Sequence, residues 1–165
     1  MQKIYLVCGV SGCGKSWASR QASHRFHYIP HDRCWVHPEK EPWNPANTGA
    51  ADIQDDSRYL PGAKSNHVEV LIEAAKLAPK SILTECPFKE RETRERLEAA
   101  GITVVPIFVI EAPYIVKERY EKREKKDCPK NVLTRAETII DRAAEWDAFH
   151  GTSEQVLKHL LNVAL

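Results

Sequence analysis

The feature that most constrains this chain is a glycine-rich run near its start. Gly9-Val10-Ser11-Gly12-Cys13-Gly14-Lys15-Ser16 begins where the apolar stretch Ile4-Tyr5-Leu6-Val7-Cys8 ends, and a helix-forming segment follows. A G-x-x-x-x-G-K-S run between a strand and a helix is a P-loop. Gly9, Gly12 and Gly14 let the backbone turn with its N–H groups inward, and the next helix adds the positive end of its dipole, so the loop cradles a chain of phosphates. Ser11 and Cys13 complete the cradle, Lys15 reaches the outer phosphates, and the Ser16 hydroxyl is placed to ligate Mg²⁺. A nucleoside triphosphate with Mg²⁺ is therefore the expected ligand, and what becomes of its terminal phosphate is the open question.

A length of 165 residues fits one domain, 1–165, which must carry both substrates of any transfer reaction. Lys and Arg total 24 against 23 Asp and Glu, so no global field advertises a nucleic acid or a membrane, and any basic surface must be local. No apolar run approaches the roughly 18 residues of a membrane span, and the N-terminal apolar segment runs straight into the P-loop without a cleavage signal. The expectation is a cytoplasmic protein with no membrane partner and no obligatory protein partner. Cys8, Cys13, Cys34, Cys86 and Cys128 are odd in number and scattered, which predicts reduced thiols rather than a disulfide framework. His31-x-x-Cys34-x-x-His37 offers too few ligands for a structural zinc. Cys13 reads as a small filler in the loop, with an oxidisable thiol as the alternative.

Along the chain, the pattern predicts a buried strand over 3–8, a helix from Lys15 to about Arg25, and a short strand over 26–30 that ends at His31-Asp32-Arg33. Pro38, Pro42, Pro45 and Pro61, with Trp35 and Trp43, then mark an irregular insert over 33–65. Long segments of that kind in compact domains usually form lids or binding loops. Asn66 and Glu69 resemble a capping box for a helix that Pro79 ends, and 81–85 reads as a strand. Pro87 suits the first turn of a helix over 88–100 that closes at Gly101; its alternating charges suit a solvated face. The stretch 102–110 is the longest strand candidate and the expected centre of the sheet.

On the next helix, Arg119, Lys122, Arg123 and Lys126 fall on one basic stripe, anchored by Val116 and Tyr120. Thr134-x-x-Glu137 reads as a capping box for a helix with Ala136, Ile139, Ile140 and Ala143 inward, and Thr152-x-x-Gln155 as the start of a last helix. The succession predicts an α/β, three-layer P-loop NTPase fold: a parallel sheet of four to five strands with helices on both faces. Four strands are clear; 146–150 is too short and too helical in pattern to count as a fifth.

Phosphoryl transfer requires an aligned acceptor, neutralised phosphate oxygens and the exclusion of water. Asp32, at a strand tip, is the candidate base for an acceptor hydroxyl, although an Asp there also suits a turn. Arg119 and Arg123 are the candidates for the phosphates, since a guanidinium donates two hydrogen bonds at once; the alternative is a solvated helix face. Glu85, ending the strand expected beside the P-loop strand, can hold Mg²⁺ or its waters, or be an ordinary strand-end residue.

With these residues placed, the chain resembles the P-loop kinases, most of all the kinase domain of phage-type polynucleotide 5′-hydroxyl kinases. The likeness rests on Gly9 to Ser16, Asp32, Ser81 to Glu85 with the arginine-bearing helix after it, and Arg119-Tyr-Glu-Lys-Arg123 leading to Pro129-x-x-Val132-Leu133. It implies ATP and Mg²⁺ as cofactors, Lys15 and Ser16 on the phosphates and metal, Asp32 as general base, and a lid over 112–130 whose Arg119 and Arg123 steady the transferring group. Trp17 stands where relatives often have Thr against the α-phosphate. Trp35 stands where polynucleotide kinases carry an arginine for the acceptor's phosphate, with Arg33 the nearest substitute. The P-loop, His37-Pro38 and Asp55-Asp56-x-Arg58-x-Leu60-Pro61 are also similar to pieces of gluconate-type sugar-acid kinases. The implied activity is transfer of the γ-phosphoryl group to a hydroxyl, with a nucleic-acid acceptor (a 5′-hydroxyl or modified-base hydroxyl of DNA or RNA) or a nucleotide favoured over a small metabolite. A regulatory ATPase and a non-catalytic nucleotide-binding module are the rivals of another class.

Overall fold

A computed structural model describes residues 1–10, 12–36 and 61–164. Its order is β1 (Ile4–Cys8), α1 (Lys15–Ala22), β2 (His27–Ile29), β3 (Trp35–Val36), β4 (Lys64–Ser65), α2 (His67–Leu77), β5 (Ile82–Cys86), α3 (Glu90–Ala99), β6 (Val104–Val109), α4 (Pro113–Glu124), α5 (Lys130–Glu145), β7 (Phe149–Gly151) and α6 (Ser153–Val163). Short 3₁₀ turns, Ser23–Arg25 and His31–Arg33, flank β2.

Five parallel strands form the main sheet in the order β2-β5-β1-β6-β7, while β3 and β4 make a small antiparallel pair. The middle strand is β1, not β6 as the longest apolar run suggests. All five of its residues are buried, as an inner parallel strand covered on both faces requires. β7 is the strand that periodicity fails to reveal: three residues, largely exposed, hold the sheet's edge through the pairing of Ile107 with Phe149. An edge strand that short has no apolar alternation to betray it.

Helices flank the sheet, with α1 packed on α6, α2 on α3, and α5 on β6 and α4. The capping expectations divide. Thr152 and Gln155 form a complete box at α6. The box at α2 does not form: Asn66 makes no side-chain cap, and the Glu69 carboxylate accepts from Arg96 at 2.8 Å. Thr134 is not a cap: α5 already starts at Lys130 behind Pro129, and the Thr134 hydroxyl donates to Lys130 O at 3.0 Å. Pro87 lies before α3 rather than in its first turn. Gly101 does close that helix, with φ +83. Of the four residues expected inward on α5, Ile140 is exposed and the other three are buried. Lys126 leaves the basic stripe, since α4 ends at Glu124 and Lys125 turns left-handed with φ 55.

Candidate active site

The parallel register sets the site. Cys8 of β1 lies beside Cys86 of β5, and Val7 beside Glu85, so the P-loop and Glu85 emerge together at the carboxyl edge of the sheet. β2 pairs on the other side of β5 and delivers the His31–Arg33 turn to the same edge. Open α/β sheets bind ligands there.

The loop is closely fitted. Gly12 and Gly14 adopt φ +86 and +96, and a Cβ on Gly14 would come within 2.9 Å of Ser153 Cβ. A side chain at either position would be strained, and at Gly12 its Cβ would come within 3.0 Å of Val116 O. Lys15 is largely buried, and its ammonium donates to Val10 O at 3.3 Å. Cys13 is buried, and burial pushes its thiol pKa up, which fits the filler reading and not a reactive thiolate.

A cavity of about 490 Å³ opens over this loop. Gly12, Gly14, Lys15, Ser16 and Trp17 line one side, Arg119 and Arg123 another, and Ser153 and Glu154 a third. The Arg119 guanidinium donates to Gly12 O at 3.4 Å and lies 3.8 Å from the Glu111 carboxylate. Arg123 reaches Glu124 at 3.0 Å and sits 5.8 Å over the Tyr120 ring. Val116, fully buried, anchors α4 against the core, a contact that contributes roughly 1.5–3 kcal/mol. P-loop residues and both expected arginines are thus brought together. Ser153 and Glu154 were missed: the capping box marks where α6 starts, but only the unrecognised β7 shows that it starts beside Gly14.

Glu85 is buried and accepts two hydrogen bonds, from the Tyr28 hydroxyl and, at 3.2 Å, from the His31 backbone N–H. Burial raises its pKa to about 7, against the opposing pull of those donors and of the Lys15 charge. The same burial, with the Glu85 charge beside it, raises the Tyr28 phenol far out of its usual range. Asp32 stands on the adjacent turn with a half-exposed side chain, its Oδ1 3.9 Å from His31 Nδ1, near enough to raise the pKa of Tyr28 and Cys34. The edge therefore holds two unlike carboxylates, a buried one near Lys15 and a half-exposed one on the adjacent turn.

Beside this turn, the His31 ring meets three others edge to face: His67 at 4.7 Å, Phe88 at 5.7 Å and Trp35 at 6.1 Å. His67 Nε2 is held by the Thr84 hydroxyl at 2.8 Å. Trp35 was expected here; His31, His67 and Phe88 were not, because they come from a turn, a helix start and a loop with no fixed spacing. Arg33 lies on the same turn as Asp32 and is half-buried. Ser11, Trp43 and the pieces similar to sugar-acid kinases, His37-Pro38 and 55–60, lie outside the described residues, as does most of the 33–65 insert.

No protein-family model matches the chain, and no curated protein sequence is recognisably similar to it. Solved structures do match. A gluconokinase from Sinorhizobium meliloti 1021 superposes with a TM-score of 0.61 at 18% identity, covering 98% of this chain and 91% of its own. A sugar kinase from a Janibacter species gives 0.57 at 22%, covering 100% and 93%. The tunicamycin resistance protein of Deinococcus radiodurans gives 0.57 at 16%, covering 99% and 95%. At such identities the likeness is one of fold: the chain has the architecture of the P-loop kinases. No described helix is long and apolar enough to cross a membrane.

Proposed function

We propose that the protein is an ATP-dependent, Mg²⁺-requiring kinase that moves the γ-phosphoryl group to a hydroxyl acceptor. The observation that carries this reading is the 490 Å³ cavity, where the P-loop lysine and two arginines from a distant helix converge. A simple nucleotide-binding module has no need of guanidinium groups brought over the phosphate end, whereas transfer requires neutralisation of the oxygens on the moving group. The residues fit both ligands: the glycine-lined cradle has room only for backbone donors, and Ser16 with Glu85 offers oxygen ligands suited to Mg²⁺ or its waters. Bound there, the metal would neutralise phosphate charge. In this reading Lys15 holds the outer phosphates, Trp17 borders the nucleotide, and 112–130 is a lid that brings Arg119 and Arg123 onto the transferring group. Asp32 accepts the proton of the attacking hydroxyl while Arg33 and Trp35 border the acceptor. The favoured acceptor is a nucleic-acid hydroxyl, either a 5′-hydroxyl or one on a modified base, or a nucleotide-related hydroxyl.

Sugar-acid or other small-metabolite transfer is the second reading, favoured by the names of the gluconokinase and sugar kinase that share the fold. Incubation with ATP labelled at the γ position and separate panels of oligonucleotides, modified DNA, nucleosides and sugar acids decides between them by which panel retains label. ATP hydrolysis indifferent to every acceptor would favour a regulatory ATPase.

A further inference from the structure

A second cleft, of about 180 Å³, lies at the carboxyl end of β5, between the His31 turn and the starts of α2 and α3. It is walled by His31, His67, Cys86 and Phe88, with Lys89 and Arg96 among its polar residues. Its His31 wall ties it to the reaction centre: the His31 backbone N–H donates to Glu85 at 3.2 Å, and Asp32 follows His31 directly. Resting on the kinase reading, we propose that this cleft is the acceptor pocket and that it takes an uncharged, planar heteroaromatic ring of nucleobase type, stacked on Phe88.

Three observations carry this. Phe88 is 45% exposed, unusual for so large an apolar side chain, and its ring packs against His31 at the cleft. An exposed ring beside other rings is a platform on which a base gains stacking energy whatever its sequence. Secondly, the charged residues that line the cleft balance, Lys89 and Arg96 against Glu69 and Glu92, and Arg96 is bonded to Glu69 at 2.8 Å. A sugar carboxylate there would meet no net positive charge, whereas a neutral ring needs none. Thirdly, the buried His31 ring that backs Phe88 is itself packed edge to face on His67 at 4.7 Å and Trp35 at 6.1 Å, so the platform rests on a fixed ring cluster.

The loop that presents Phe88 is held in place by unusual means. Lys89, the N-cap of α3, has φ 55 and no capping bond, a conformation ordinary after a helix but strained before one. Arg135 of α5 donates to Pro87 O at 3.4 Å and to the buried Glu90 carboxylate at 2.9 Å. The aromatic platform is therefore clamped from both sides.

The test measures equilibrium binding by calorimetry with the nucleotide cavity saturated by a non-hydrolysable Mg-ATP analogue. Thymidine, hexathymidylate and D-gluconate serve as probes, on the full chain and on Phe88→Ala and Phe88→Trp. Thymidine should bind, Phe88→Ala should weaken it about tenfold or more, and Phe88→Trp should retain it. Binding by thymidine alone identifies a free nucleoside as the source of the ring, and much tighter binding by hexathymidylate a base within a strand. Gluconate binding that is indifferent to Phe88, or thymidine binding unchanged in Phe88→Ala, overturns the cleft assignment. Label transferred to gluconate at the same time would leave the kinase reading standing, whereas Phe88-dependent thymidine binding without transfer to any acceptor would remove the kinase and keep the cleft.

Discussion

The two cavities at the carboxyl edge of the sheet are built on opposite plans. The larger, over the P-loop, combines glycine backbone with three cations, Lys15, Arg119 and Arg123, against the single carboxylate Glu154, so its walls favour a strongly anionic ligand. The smaller, at the end of β5, gathers the rings of His31, His67 and Phe88 beside charged residues that balance, Lys89 and Arg96 against Glu69 and Glu92. Phosphate recognition can be delegated to backbone N–H groups, and that requires glycines at fixed spacing. Ring recognition is done by side chains that any surrounding element can supply. The contrast follows from the chemistry of the two ligands, and each substitution below tests whether it holds.

The largest effect is expected from Lys15→Ala. It should reduce turnover by about 10³-fold or more and weaken Mg-ATP, while ring binding in the smaller cleft persists. Loss of both together, measured by calorimetry on the same preparation, would show that the cavities are not separable. Asp32→Asn should cut transfer by about 10²-fold or more and leave ATP affinity unchanged, because an amide keeps the shape of the carboxylate and loses its basicity. Full transfer activity in that variant would remove Asp32 from the mechanism and reduce it to a turn residue. Arg123→Ala should lower kcat by roughly tenfold with a smaller change in the affinity for ATP, since charges on the proposed lid act chiefly on the transition state. A change confined to KM would place Arg123 in ground-state binding.

The same contrast explains which parts were legible in the sequence. Gly9 to Ser16, the strand before them and the helix after them are a local rule, so the nucleotide side and the parallel α/β class follow from spacing alone. Arg119 and Arg123 were found because a helix repeats every 3.6 residues, and Val116, about one and two turns before them on the same side of the helix, is buried in the core. By contrast, β7 is three residues long and exposed, and without it neither the sheet's far edge nor the place of Ser153 and Glu154 can be known. The ring cluster was equally hidden. His31, His67 and Phe88 are brought together only by the pairing of β2 with β5 and the positions of α2 and α3, a tertiary fact that no window of sequence contains. Glu69 shows the reverse failure, a sound local signal for a cap that lost to a long-range partner, Arg96.

The smallest effect concerns stability on the aromatic side alone. His67 is buried with its Nε2 on Thr84, and burial, helped by the charge of His31, holds its pKa well below 6.5. In the unfolded chain His67 takes up a proton as pH falls through 6.5, whereas in the folded protein it stays neutral. The stability it contributes is therefore complete above that pH and declines as pH falls towards the lowered value, by at most about 1.4 kcal/mol per pH unit. His67→Gln, which keeps a hydrogen-bonding atom near Thr84, should flatten this part of the acid limb. Urea unfolding from pH 7 to pH 5 measures it, and the variant should lose less stability than the parent over that interval. Equal slopes would mean that His67 becomes protonated in place, and the cleft would then carry a positive charge below pH 6.5. A charged cleft is one that would accept an anionic acceptor in acid, so the measurement also tests the neutrality on which the distinction between the two cavities rests.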